Sequence, residues 1–185
     1  SLGRNKAEDF PRKAFLKPKK SRVTHYRKRL KKLGKGPHIG IAWHGGTKHT
    51  HQELRNPLLE LWQSLVEATR EIRPATFVSL QYGVQAKDQA KQIGIPHWPK
   101  AVDDLEDHAA LIAALDVVIS VCQTSIHFAG AVGTECWCLT PSEPAWRYGV
   151  EGPMLWYGSV DLIRQEGKEW LPSFEELGGR IADLP

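Results

Sequence analysis

The chain of 185 residues lacks several things. No apolar run approaches the roughly 18 residues that cross a bilayer, which argues against an integral membrane protein. The N-terminus is basic, but no apolar segment of secretory-signal type follows it. Cysteine is scarce, with only Cys122, Cys136 and Cys138, and an odd number cannot all pair internally. Cys136 and Cys138 stand two apart in a strand-like run, on one face and too close for an unstrained bridge. No second Cys/His pair lies at zinc-finger spacing, so no structural metal is expected. These features fit reduced, mostly buried thiols in a cytosolic protein. Neither the GxxxxGK[ST] phosphate loop nor a GxGxxG after the first strand is present, which disfavours a P-loop enzyme and a dinucleotide oxidoreductase. Disorder is excluded as well, because 41% of residues are hydrophobic and 25% charged, both near the globular norm.

Acidic residues are nearly absent from the first 36 positions, where 14 Lys/Arg face only Glu8 and Asp9. The remaining 149 residues carry 11 basic and 19 acidic groups. The basic pI therefore belongs to the N-terminal stretch, and the mildly acidic body argues against a general polyanion binder. Residues 1–36 read as a basic linker or tail, a solvated connector to a preceding module, with a short helix over Ser21–Leu33. The competing reading is contact with nucleic acid or an anionic surface.

From His38 onward, short apolar runs alternate with helical patterns. Strands are expected at 38–43, 76–80, 117–121, 135–139 and 160–163, with a further short one at 95–98. Asn56–Pro57 supplies an N-cap and first-turn proline for a helix burying Leu58, Leu61, Trp62, Leu65, Thr69 and Ile72. A helix over 86–93 ends at Gly94. Asp103 or Asp104 caps another, with Leu105, Ile112 and Leu115 facing the core. Residues 124–132 form a helix closed by Gly133. Ser173 and Glu176 form a capping box for the last one, carrying Phe174, Leu177, Ile181 and Leu184. This alternation implies an α/β fold, a doubly wound, mostly parallel sheet over residues 37–185.

In such sheets ligands bind beyond the carboxyl ends of the strands, and the chemistry-bearing residues lie there. Gly45 and Gly46 let backbone approach a ligand, while Lys48 and Arg55 supply charge for phosphate; a plain glycine loop is the alternative. Thr124 and Ser125 begin a helix whose positive end suits an anion, or else serve as ordinary caps. His127, in the first turn, is a ligand contact or a satisfied histidine. Gln81 and Tyr82 close the second strand. Arg147, in an aromatic-rich loop, needs an anionic or carbonyl partner.

The segments HIGIAWHGG, FVSLQYG, DDLEDHAALIAALD, VVISVCQTSIHFAGAVG and LTPSEPAWRYG, in that order, resemble the C-terminal half of a GT-B glycosyltransferase. The likeness is to the heptosyltransferase-like group, glycosyltransferase family nine, which occurs downstream of tetratricopeptide repeats in bacterial proteins. It covers about residues 37–184. The resemblance implies a donor-binding domain that moves a sugar from a nucleoside diphosphate sugar to a saccharide, lipid-linked or protein acceptor. Such a domain is incomplete without an N-terminal acceptor or tetratricopeptide domain. Gly45, Gly46 and Lys48 would face the diphosphate, and Gln123, Thr124, Ser125 and His127 would take phosphate and ribose. Gln81, Tyr82 and Asp104 would lie near the base or its ribose. Lys48 and His127 are the candidate catalytic residues, stabilising the leaving diphosphate. Arg55 and Arg147 join the donor contacts. No DxD pair follows the expected loops, so neither metal nor cofactor is expected. A cytoplasmic location is implied, or one at the inner face of the membrane. One departure stands out, since the group's acidic residue is replaced by Cys122. The alternative function is a non-catalytic nucleic-acid or protein-binding module acting through the basic tail, although nucleic acid is disfavoured by the acidic body. The chain opens on Ser-Leu without Met, the pattern of a piece cut from a longer protein.

Overall fold

The computed structural model describes residues 7–50 and 52–185, with only the backbone at Ala7 and Lys48. Five strands, β1 (His38–Ala42), β2 (Thr76–Ser79), β3 (Val117–Val121), β4 (Glu135–Thr140) and β5 (Val160–Arg164), form one sheet in the order β2-β1-β3-β4-β5. Every pairing is parallel. Parallel strands need crossover helices, and these cover both faces. On one face pack α1 (Lys20–Lys31), α5 (Pro99–Asp103), α6 (Leu105–Ile112) and α7 (Thr124–Val132). On the other pack α3 (Leu59–Ile72), α4 (Ala86–Ile93) and α8 (Leu171–Ala182). A short α2 (Gln52–Arg55) precedes α3.

The two-residue alternation of the strands sorts the core. Ile39, Ile41, Val117, Ile119, Trp137 and Leu139 meet α3, α4 and α8. Ala42, Val78, Val118, Cys136 and Cys138 meet the opposite layer. Gly40 belongs to that layer without a side chain, because a Cβ there would stand 2.4 Å from Leu115 Cδ1.

Several sequence expectations change. The strand expected at 95–98 is reduced to a single bridge between Ser79 and His97. The last helix starts at Leu171, so Ser173 lies inside its first turn and its buried hydroxyl makes no cap. Leu58, Ile72 and Leu105, expected in the core, are exposed. Leu58 is the N-cap of α3 and Ile72 its last residue, beyond the covered stretch of the stripe.

The basic stretch also differs from a free tail. Tyr26 and Leu30 of α1 are buried against the α6 layer. Arg22 pairs with Asp104 at 2.8 Å and Asp107 at 3.0 Å. The Tyr26 ring stacks on Trp98, and the Arg29 guanidinium sits 4.0 Å above the same indole. Upstream, the Phe15 and Leu16 N–H groups both donate to the Ala131 carbonyl, and Gly158 N–H donates to the Arg12 carbonyl. Residues 10–36 thus form part of the body, because α1 has apolar residues at helical spacing on one side, with Arg22 and Arg29 reaching the body beside them.

Candidate functional site

Strand order reverses between β1 and β3: β2 lies on one side of β1, and β3 to β5 on the other. At such a switch point adjacent loops leave in opposite directions and open a crevice beyond the strand ends. Two loops border it, residues 43–47 after β1 and residues 122–123 after β3.

The first loop is held by amides. The Gln81 carboxamide, buried at the end of β2, accepts the Trp43 and His44 N–H groups at 2.9 Å each. Its NH2 donates to the His44 carbonyl at 3.0 Å and the Tyr82 carbonyl at 3.1 Å. Asn56 does the same one residue further on, accepting from Gly45 N–H at 2.9 Å and donating to the Gly45 carbonyl at 3.3 Å. Asn56 was expected as a helix cap, whereas it clamps the loop. Gly46 has φ +83°, and a Cβ there would meet Thr50 Oγ1 at 2.9 Å and the Arg55 side chain at 3.3 Å. Arg55 reaches back to the Thr50 carbonyl.

Gly45 brings the two loops together. A side chain on it would lie 2.6 Å from Gln123 Cβ and 2.9 Å from the Cys122 carbonyl oxygen. Gln123 is the N-cap of α7, accepting from Ser125 N–H at 3.4 Å. Its NH2 donates to Ser120 Oγ at 3.2 Å and Ser125 Oγ at 3.0 Å. Ser125 Oγ also lies 3.1 Å from His108 Nε2, so a buried polar chain ties the start of α7 to α6. Burial brings the His108 pKa down to about 4, only partly opposed by the nearby Ala101 backbone. Thr124 remains exposed at the first position of α7.

On the far side stand His127 and the 3-10 turn Trp146–Tyr148. His127 Nδ1 lies 3.3 Å from the Tyr157 hydroxyl. Burial, then the Arg147 charge, lowers its pKa, which leaves the imidazole neutral at pH 7. Arg147 lies 5.4 Å from the Tyr148 ring centroid, and its Nε has no protein partner. Arg164, which belongs to no motif, shapes this loop. It donates to the carbonyls of Tyr148, Gly149 and Gly152 at 2.8–3.0 Å.

The expected residues therefore divide. His127 and Arg147 gather at Tyr148 and Tyr157, whereas Gly45, Gly46, Arg55, Gln123, Thr124 and Ser125 come together where the two loops meet. Gln81, Gln123 and Ser125 do so as builders, with their polar groups turned to protein. Tyr82 is exposed in a neighbouring cleft of about 190 Å³, which His44, Gly46 and Gln89 also line. Asp104 caps α6 through Asp107 N–H and pairs with Arg22, on the α1 side. Lys48 begins a 3-10 turn next to the loop, and its side chain lies outside the described residues. Among the described residues no group of three or more His, Cys, Asp or Glu side chains comes together as a metal site, and no helix is long and apolar enough to cross a membrane.

The fold is that of glycosyltransferases of the GT-B type, an all-parallel Rossmann-like sheet between helical layers. Three solved structures share it. E. coli ADP-heptose LPS heptosyltransferase II superposes with a TM-score of 0.62 at 15% identity, over 90% of this chain and 53% of that one. E. coli heptosyltransferase WaaC, solved with ADP-2-deoxy-2-fluoro heptose, gives 0.58 at 16% identity, over 85% and 47%. A family 9 glycosyltransferase from Veillonella parvula gives 0.56 at 12% identity, over 92% and 46%. In sequence, the chain is 35% identical over 187 residues to protein FlbA of Caulobacter vibrioides, matching 96% of this chain and 30% of that protein. The chain thus spans about half the length of the solved proteins and less than a third of FlbA. No family model matches it.

Proposed function

We propose that this chain is the donor-binding part of a glycosyltransferase, holding a nucleoside diphosphate sugar in the crevice between β1 and β3. The observation that carries this reading is the packing of Gly45 against Gln123. It sets a glycine loop beside the start of α7 at the switch point. A helix N-terminus presents free N–H groups and a partial positive charge to a diphosphate. Arg55 and Arg147 add charge there, and Lys48 follows the same loop. As the sugar–phosphate bond breaks, negative charge grows on the departing diphosphate, and fixed donors of this kind stabilise it. His127, neutral at pH 7, acts in this scheme as a hydrogen-bond donor rather than as a cation.

The strand-end rim supports a second body in a longer parent chain, either an acceptor domain or a tetratricopeptide module. Val84 is 99% exposed, Val150 79% and Trp146 76%, and Leu54 of α2 and Leu105 at the start of α6 are exposed as well. Apolar groups gathered in one region mark an interaction surface. The acceptor's general base is then supplied by that second body, and the isolated chain binds nucleotide without turning over.

Titration of the 15N-labelled chain with UDP, ADP and GDP tests this. Amide shifts should cluster at residues 44–47 and 122–127. Shifts confined elsewhere, or none with any of the three, would refute it. A second reading, an anion-binding module working through α1, rests on the exposed basic residues Lys20, Arg27, Lys28 and Lys31. It requires binding that collapses with salt and with charge reversal on that helix.

A further inference from the structure

Cys122 and Cys138 have their sulfurs 3.7 Å apart. Both are free thiols, and both are buried. They come from different strands: Cys138 lies within β4, and Cys122 is the first residue after β3. Cys138 also contacts Thr140 Oγ1 at 3.5 Å, and Cys122 contacts the Leu139 carbonyl at 3.6 Å. Cys136 points to the same layer as Cys138 but sits two residues further from the crevice.

We infer that Cys122 and Cys138 form a reversible dithiol–disulfide site, oxidised by small-molecule disulfides, whose closure loosens the anion site at the start of α7. The Cys122 thiolate attacks the disulfide RSSR, an S–Cys122 bond forms, and RS⁻ leaves and takes up the proton Cys122 gave up. The Cys138 thiolate then attacks the Cys122 sulfur, expelling the second RS⁻, which takes the Cys138 proton. The protein dithiol is oxidised by two electrons, and one RSSR becomes two RSH.

The order of attack follows from the surroundings. Burial opposes ionisation of Cys122, but hydrogen bonds with Cys138, Thr140 and Tyr148 and the nearby Arg55 charge outweigh it and lower its pKa. Burial and the neighbouring Cys122 raise that of Cys138. Cys122 also ends its strand and keeps 4% of its surface exposed, whereas Cys138 is fully enclosed between β3 and β5. It is therefore the attacking thiol, and Cys138 resolves.

Closing the bond brings the sulfurs from 3.7 Å to about 2.05 Å. Cys138 is held in the middle of a central strand, so the corner at Cys122 moves. Gln123 follows directly, capping α7 and pressing on Gly45. The bond itself stands apart from the nucleotide reading, and only its effect on the site rests on it.

The test incubates the chain with glutathione disulfide, denatures it in acid, alkylates it with N-ethylmaleimide and weighs it intact. The reduced chain should carry three adducts, one per cysteine, and the oxidised chain only one, on Cys136, with no glutathione retained. Cys136→Ser should go from two adducts to none. Cys138→Ser should stop at a glutathione adduct on Cys122. Three adducts after oxidation, a bridge to Cys136, or dimers alone would overturn the site. Titration with UDP, ADP and GDP reads the coupling. Oxidation should weaken the tightest of them at least about tenfold, about 1.4 kcal/mol, and dithiothreitol should restore it. Unchanged affinity in a chain shown by mass to be bridged overturns the coupling. If the reduced chain binds none of the three, the donor-binding reading and its coupling fail, and the mass result alone decides the bond.

Discussion

Replacing Gln81 distinguishes a residue that builds the crevice from one that touches a ligand. Its carboxamide makes four hydrogen bonds to backbone, two accepted and two donated. Gln81→Leu keeps the approximate bulk and removes all four. Trp43 is buried, so its N–H has no water to turn to, whereas the exposed His44 recovers part of its loss. A buried group left unpaired costs about 1–3 kcal/mol, and an ordinary net hydrogen bond contributes about 1 kcal/mol. The expected loss is then about 2–4 kcal/mol, which for a chain of this size lowers Tm by about 5–15 °C.

Gln81→Glu sharpens the comparison. A carboxylate still accepts from Trp43 and His44, but it faces the His44 and Tyr82 carbonyls with no proton to donate. It should destabilise the chain to a similar degree. Urea unfolding followed by tryptophan fluorescence, with nucleotide titration beside it, separates the cases. If both variants stay within about 0.5 kcal/mol of the parent while nucleotide preference changes, Gln81 is a ligand contact and the clamp argument is wrong.

Three further outcomes follow from the same geometry. His108 folds neutral with its pKa near 4, below the ordinary 6.5, so the unfolded chain binds more protons between those values. Its contribution is complete above about pH 6.5 and is lost as pH falls towards 4, by at most about 3 kcal/mol; His108→Gln should flatten that slope in chemical unfolding. Gly130→Ala places a Cβ 2.1 Å from the Tyr157 ring, which must swing out and leave His127. A loss of about 1–3 kcal/mol is expected, and an unchanged Tm would contradict the packing. Tyr26→Ala removes the ring that seats α1, at a cost of about 3–5 kcal/mol by analogy with other buried aromatics. Trypsin should then cut rapidly within residues 19–32, and equal cutting rates in parent and variant would mean that α1 is not docked.

The architecture was legible wherever periodicity and punctuation agreed. Val117–Val121 is buried on both faces and reads as a β-branched run broken only by Ser120, and Gly94 and Gly133 close their helices in the left-handed conformation. Errors arose where one local signal had two uses. Asn56 before proline looks like a helix cap, yet its amide is bonded to a loop eleven residues back. Ser173 and Glu176 have capping-box spacing, but Pro172 and Trp170 begin the helix earlier. The basic composition of residues 1–36 suggested a solvated tail and hid the stripe that packs Tyr26 and Leu30. The Cys122–Cys138 contact had no signal in the chain, because it depends on β3 lying beside β4.

The division of labour around the crevice bears on how such a site discriminates. The side chains most suited to reading a nucleobase, the amides of Gln81, Asn56 and Gln123, all have their hydrogen bonds committed to protein. On the proposed reading, what is left for the ligand is the dipole at the start of α7, the guanidinium groups of Arg55 and Arg147, and an imidazole without charge. Groups of that kind grip a diphosphate through charge and dipole, and they favour the state in which its charge is greatest. Selection of base and sugar must then come from shape or from residues outside the described set. Tyr82 in its adjoining cleft and the aromatic turn at Trp146 are the nearest side chains still free to provide the shape. A site built this way should hold different nucleoside diphosphates with similar strength and lose most of its affinity for the corresponding nucleosides.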